Sequence, residues 1–285
     1  MKIGIMLRRP YSATDMIAEA LKNRGHDVEF VSEKYFELTN SKTQYDDFDL
    51  FYYWLGGGVE SRICLLDTLH KNGVAVINRC LSTEPVIRSK IYQTYKVHCA
   101  GFKTPMTISR VRVDFNEMAT LLGAPFIMKA SVGSCGSQVY LIENSEDMKK
   151  VLDSAEKRVE FLFQKLIPNS GDYRIHVVGG KAVCGYKRVP NPGDFRANVS
   201  RGGSMESIDD GELRSKLFEI AEGIIAFFDN ADVFGVDLMQ DMNTGEINFI
   251  ELNEFPGIKD VKEVTGVDIA DETAKYFESF AKKKN

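Results

Sequence analysis

No two of the five cysteines, Cys64, Cys80, Cys99, Cys135 and Cys184, stand in a C-x-x-C pair. The spacing of a zinc site or a dithiol redox centre is therefore missing, and the odd set reads as reduced thiols. Histidine is scarce as well: His26, His70, His98 and His176 fall in unrelated elements. Each reads as a surface or satisfied core residue, and no Ser/His/Asp or Cys/His group emerges. Charge of one sign is also lacking, since 36 Lys and Arg face 41 Asp and Glu for a formal net charge of -5. A nucleic acid would meet no general attraction. No apolar run approaches the length of about 20 residues that a membrane span needs. The opening MKIGIMLRRP lacks the length and order of a signal peptide. These absences predict a globular cytoplasmic protein that binds neither membrane nor nucleic acid.

What is present is a regular alternation. The 285 residues suffice for one large domain or for two or three lobes around a site. KIGIML (2–7), VEFV (28–31), FDLFYYW (48–54) and VAVIN (74–78) have strand character. Between them lie a helix with Met16, Ile17, Ala20 and Leu21, capped by Ser12 or Thr14 and closed at Gly25, and a second from Glu60 to Lys71. Strands alternating with helices predict a parallel, doubly wound sheet to about residue 80. A helix is expected from Pro85 to Ala100, stopped by Gly101. PFIMKASVGSCGSQVYLIEN (125–144) reads as strand, glycine-containing loop, strand. A dinucleotide fingerprint or Walker loop needs its glycines to open a helix, and no GK[ST] follows, so both are excluded. Further on come a helix at 145–155, a strand at 161–167, a hairpin turning at Gly179 and Gly180, a polar loop to 205, a helix at 211–228, two strands over 233–252 and a closing helix at 267–283. The aromatic stretch Tyr52, Tyr53 and Trp54 reads as core packing.

FIELNEFPG, residues 249–257, sets a carboxylate and a carboxamide two positions apart at a strand end. Alternation puts Glu251 and Asn253 on one face and Ile250 and Leu252 on the other. Asp237 ends VFGVD much as Glu251 ends INFIE, and the polar break between them makes the two strands a hairpin. Opposite residues then lie within about 5 Å. Three oxygen-bearing groups so placed suit a hard cation such as magnesium. A solvated strand end is the plainer alternative.

In this order the chain also carries RSK (88–90), PFIMK (125–129), GSCGSQV (133–139), QKLI (164–167), GDYR (171–174), GDFRANVSRGG (193–203), GVD (235–237) and ELNEFPG (251–257). Over nearly its whole length it resembles the ATP-grasp superfamily, and within it the RimK-type amino-acid ligases. The eleven residues from Gly193 are the most specific, following the signature GDFRSNxxRGG. The resemblance implies an α/β ATP-grasp fold: an N-terminal doubly wound pre-ATP-grasp lobe (1–84), a small central lid lobe (85–165) and a C-terminal α+β lobe (166–285).

The same resemblance implies roles. Lys90 and Lys129 would bind ATP phosphates, with Gly133, Ser134, Gly136 and Ser137 closing over them. Gln164, Lys165 and Ile167 fall where the family contacts adenine, and Asp172 where an acid takes the ribose. The family usually has an acid at the position of Lys165, so backbone contacts are expected there. Arg188, Arg196, Asn198 and Arg201 would face the γ-phosphate and the reacting carboxylate; a solvated basic loop is the alternative. Asp237, Glu251 and Asn253 would hold two magnesium ions, with manganese as a substitute. The implied activity is ATP-dependent carboxylate–amine ligation through an acyl phosphate. Glutamate or another amino acid would be added to a small-molecule, coenzyme or protein acceptor. Rivals are a non-catalytic nucleotide-binding module and a phosphotransferase of the same fold. Relatives often carry an arginine near the end of the third strand, where this chain has FYYWLGGG, which leaves the acceptor open; Arg8 and Arg9, at the end of the first strand, are candidates to replace that charge and grip a substrate carboxylate, with a solvated strand end as the alternative. Oligomeric state is also left open, a homo-oligomer included.

Overall fold

The computed structural model describes residues 1–7, 11–32, 39, 41–54, 59–110, 113–133, 138–156, 158–194, 196–197 and 202–282. Three sheets organise them. The first is built from β1 (Lys2–Met6), α1 (Ser12–Asn23), β2 (Asp27–Val31), β3 (Leu50–Tyr53), α2 (Val59–Lys71) and β4 (Ala75–Ile77). Its strands run parallel in the order β2-β1-β3-β4, as the strand–helix alternation requires. Tyr52, Tyr53 and Trp54 are buried in it. The cap of α1 differs from expectation. Tyr11 takes the N-cap position, its side chain does not cap the helix amides, and Thr14 Oγ1 donates to Tyr11 O at 2.8 Å.

After a short α3 (Cys80–Thr83), α4 (Lys90–Cys99) begins five residues later than the proline suggested. Ser89 is the true N-cap, its Oγ accepting from the Tyr92 amide. The Pro85 carbonyl is engaged by the buried Arg62 through Nη2. Gln93 ties α4 to the third sheet, donating to Leu252 O at 3.2 Å and accepting from Leu252 N at 2.9 Å.

The second sheet comes from β5 (Thr107–Ser109), α5 (Phe115–Leu122), β6 (Phe126–Ala130), β7 (Val139–Ile142), α6 (Ser145–Ser154) and β8 (Phe161–Lys165). It is antiparallel in the order β5-β8-β6-β7, so residues 125–144 do form a hairpin. Phe126, Met128, Phe161 and Phe163 pack with Met118, Leu122 and Met148 of the two helices. Alternation then turns Ile127, Lys129 and Gln164 to the opposite face.

The third sheet contains β9 (Asp172–Val178), β10 (Lys181–Val189), β11 (Ser204–Ser207), β12 (Val233–Gln240) and β13 (Ile247–Asn253), with α7 (Gly211–Ile225), α8 (Val261–Thr265) and α9 (Ile269–Lys282) around it. It is antiparallel in the order β11-β10-β9-β12-β13. Ile175, Val177, Phe234, Val236, Leu238 and Phe249 share a core with Leu217, Ala221 and Ile224 of α7. The other face is divided: Val178, Cys184, Tyr186 and Val233 pack against Val261 of α8 and Ala270, Ala274 and Phe277 of α9, while Asp172, Arg174, Arg188 and Asp237 hold the end nearer the second sheet. The short α3, β5, α5, β11 and α8 were not foreseen, because such segments carry too little periodicity to stand out. Among the described residues, no helix is long and apolar enough to cross a membrane.

Candidate active site

The polar end of the third sheet's divided face and the Lys129 face of the second enclose a cavity of about 980 Å³, its open mouth included. Strand register orders its contents. On β6, Lys129 pairs with Leu162 while Ile127 pairs with Gln164, two residues further along β8. On β12, Asp237 pairs with Glu251, and Met239 lies two residues beyond it. One end is therefore lined by Ile127, Ile167, Met239 and Ile250, the other by Lys90, Lys129, Asp237 and Glu251. An apolar slot joined to a charged end suits a ligand that is flat at one end and anionic at the other.

The charged end is built on neighbouring strands. Asp237, 1% exposed, accepts from Arg174 through both oxygens, Nε to Oδ1 at 2.7 Å and Nη2 to Oδ2 at 2.6 Å. Arg188 Nη2 adds a bond to Oδ2 at 2.7 Å, and Asn253 Nδ2 another at 3.2 Å. Burial works against a charged Asp237, but Arg174 and Arg188 outweigh it and hold its pKa well below the usual carboxylate range. Arg188 also grips Asp172, Nε to Oδ1 at 2.5 Å and Nη2 to Oδ2 at 2.9 Å, directly across β9 and β10. Such bidentate pairs fix both partners in orientation. Lys90 Nζ lies 3.2 Å from Glu251 Oε2 and donates to Gly133 O at 2.9 Å. Lys129 is 5% exposed. Burial pushes its pKa down to about 8, with Glu251 pulling the other way and Lys90 adding to the depression.

The structure brings Lys90, Lys129, Gly133, Gln164, Lys165, Ile167, Asp172, Arg188, Arg196, Asp237 and Glu251 to one cavity. Asn253 joins through Asp237. Arg196 is paired with Asp194, Nε to Oδ1 at 3.0 Å. Ser134, Gly136, Ser137, Asn198 and Arg201 lie outside the described residues, as do Cys135, Arg8, Arg9 and residues 55–58.

Two features escaped the sequence. Arg174 is a main partner of Asp237; its signal was its place two residues after Asp172, hence on the same face. Ile250 lines the cavity although simple alternation sends it to the core. The register shifts between Asp237 and Leu238, so that Phe249 rather than Ile250 faces Leu238 across the pair. A bulge of this kind has no sequence marker here. Histidine also departs from expectation: His176 is 1% exposed, its Nε2 has no hydrogen-bond partner among the described residues, and burial lowers its pKa to about 3.

Among the described residues, no three His, Cys, Asp or Glu side chains group around a cation-sized point. Asp237, Glu251 and Asn253 are two carboxylates and an amide, an all-oxygen set that suits a hard divalent cation. Asn253 spends its Nδ2 on Asp237, and its oxygen accepts no hydrogen bond among the described residues. Crowded carboxylates are here balanced by Arg174, Arg188 and Lys90.

A cavity between two antiparallel sheets, with an N-terminal parallel lobe docked beside it, is the ATP-grasp arrangement, and solved structures share it. A RimK-domain ATP-grasp protein from Sphaerobacter thermophilus superposes with a TM-score of 0.76 at 17% identity, covering 97% of this chain and 99% of its own. The ATP-grasp ligase PsnB, complexed with minimal precursor, Mg and ADP, superposes with a TM-score of 0.72 at 14% identity, covering 98% and 97%. At these identities the likeness concerns the fold. The model of the RimK-like ATP-grasp domain matches residues 101–277, and the chain belongs to that family. A probable alpha-L-glutamate ligase from Methanococcoides burtonii is 28% identical over 300 residues, covering 99% of this chain and 97% of its own.

Proposed function

We propose that the chain is an ATP-dependent carboxylate–amine ligase, a cytoplasmic ADP-forming enzyme that adds glutamate or another amino acid to its acceptor. A carboxylate oxygen attacks the γ-phosphorus of ATP and ADP leaves. The amine nitrogen then attacks the acyl carbon of the acyl phosphate, phosphate departs, and the nitrogen loses a proton to give the amide. The observation that carries this reading is the pairing, in a slot whose far end carries Ile127, Ile167, Met239 and Ile250, of Lys90 and Lys129 with the oxygen set Asp237, Glu251 and Asn253. The cations meet phosphate oxygens as point charges. Magnesium held by the three oxygen ligands would neutralise charge on the phosphates. Arg188, pinned by two aspartates, offers a fixed donor where charge develops. By their place in the sequence signature, Arg196, Asn198 and Arg201 would serve the γ-phosphate and the reacting carboxylate, and Ser134, Gly136 and Ser137 the phosphates. Asp172 stands at the ribose, while Gln164, Lys165 and Ile167 stand at the base. The lobes divide at residues 84 and 165, each centred on one sheet. The relative named a glutamate ligase supports glutamate, and the Mg and ADP of PsnB support the cofactors. The acceptor is a small molecule, coenzyme or peptide.

The test incubates the protein with ATP, magnesium and amino acids paired with acids, following phosphate release and product mass. Amide with phosphate is expected. A stable phosphorylated product would mean a phosphotransferase, and neither product a binding module. Glu251→Gln removes charge but little volume from the proposed metal set. It should keep the wild-type melting temperature and lose turnover by roughly a hundredfold or more. A folded variant with full turnover refutes the metal assignment.

A further inference from the structure

At the apolar end of the cavity a chain of hydrogen bonds has its polarity fixed from one side. Thr107 Oγ1 donates to the Pro105 carbonyl at 2.7 Å. A carbonyl has no proton to return, so the hydroxyl proton is committed. Toward its second neighbour, Gln164 at 2.9 Å, Thr107 offers only lone pairs. That neighbour must be the amide nitrogen. The two ends of the Gln164 amide are thus told apart by the bonding chain itself. Turning the amide over would set two acceptors against each other, or take the hydroxyl away from Pro105.

Thr107 and Gln164 are register partners on β5 and β8, and Gln164 lies on the cavity face opposite Ile127. Gln164 is 4% exposed. Its Oε1 accepts no hydrogen bond among the described residues and is not among the sealed polar atoms that lack a partner, so it opens on the cavity. The wall beside Ile127 and Ile167 therefore presents a fixed side-chain acceptor, with Lys165 as its charged neighbour in the same lining. A purine with an amino group at C6 satisfies it. A 6-oxo purine meets it with a second acceptor, at the cost of two unpaired buried groups.

We infer that Thr107 is a positioning residue that locks Gln164 as an acceptor, and that this lock makes the site select 6-amino over 6-oxo purine nucleotides. The inference rests on the nucleotide reading above. It is tested by calorimetric affinities of ATP, ITP and purine riboside triphosphate, each with magnesium, for the wild type, Thr107→Val and Thr107→Ser. The wild type should prefer ATP to ITP by on the order of a hundredfold, with the unsubstituted purine between them. Thr107→Val keeps the shape but frees the amide to turn, and the preference should shrink to about tenfold or less, chiefly because ITP gains. Thr107→Ser restores the hydroxyl and should restore the preference. Structural damage would instead weaken all three nucleotides together. If Thr107→Val melts early, Thr107→Ala takes its place. Equal wild-type affinities for ATP and ITP, or a full preference without the hydroxyl, would overturn the inference. Binding of none of the three would overturn the nucleotide reading itself.

Discussion

Lys129 shows what a single side chain owes to its surroundings. It ends an apolar strand, and burial lowers its pKa to about 8, while the facing groups Glu251 and Asp237 pull upward and Lys90 pushes down. Its charge is thus held at neutral pH and given up as pH rises. If the cation meets ATP phosphates, magnesium-ATP affinity should be level below about pH 8 and then fall, by at most about tenfold per pH unit. The sign follows from the charged form being both the binding form and the low-pH form. Titrating affinity from pH 7 to 9.5 checks it, with Lys129→Met as the control that should bind weakly and without this slope. A wild-type curve as flat as the control's would remove Lys129 from the phosphate end. Asp237 is the opposite case. Two arginines keep it ionised in a site where burial alone would neutralise it.

At the scale of the element, the charged end depends on strands staying in register. Arg188 reaches Asp172 because β9 and β10 oppose them directly, and it reaches Asp237 because β12 lies on the other side of β9. Gly171 begins this arrangement with φ +122, where an added Cβ would lie 2.1 Å from the Arg188 carbonyl oxygen. Backbone cannot step aside as a flexible side chain does. Gly171→Ala should cost about 3 kcal/mol of stability, combining strain at that φ with a displaced strand. It should also weaken nucleotide binding, since Arg188 and Asp172 move with their strands. Urea unfolding and a binding titration test both parts; an unchanged unfolding midpoint would show that the junction relaxes freely. The bulge in β13 works at the same scale, because one unpaired residue lets Ile250 and Glu251 both line the cavity.

Across the whole molecule, the N-terminal lobe is fastened to the third sheet by one buried polar knot. Asn78, at φ 56, donates Nδ2 to Val233 O at 3.0 Å, while its Oδ1 accepts from the amides of Asp232 and Val233 at 2.9 and 2.8 Å. Asp232 returns the contact, accepting from the Asn78 amide at 2.7 Å and from Tyr276 of α9 at 2.5 Å. Asn78→Ala would strand two buried amides and place a β-carbon without polar compensation in the left-handed region. A loss of about 3 kcal/mol is expected. Thermal unfolding by two probes, the Trp54 signal in the first lobe and far-ultraviolet circular dichroism for the whole, reads it. A variant that melts like the wild type would mean that the other contacts, apolar packing and the Arg24 pairs with Asp271 and Glu278 among them, suffice to hold the lobes together.

The doubly wound first lobe, the hairpin around the glycine loop and the face shared by Glu251 and Asn253 are legible in the amino-acid order. Those features follow from periods of 2 and 3.6 and from local turn chemistry, which any stretch of chain states on its own. Family membership is legible there as well, because GDFRANVSRGG and ELNEFPG are contiguous. Features that depend on the partner across a strand pair, or on chain far away in sequence, emerge only on folding. Arg174 belongs to the site only because β12 lies beside β9, and Ile250 only because β13 slips by one residue. Thr107 orients Gln164 although 57 positions separate them. The physical reason is one of range. Alternation and capping act within a few residues, whereas register, burial and the direction of a hydrogen bond are set only once separate strands meet.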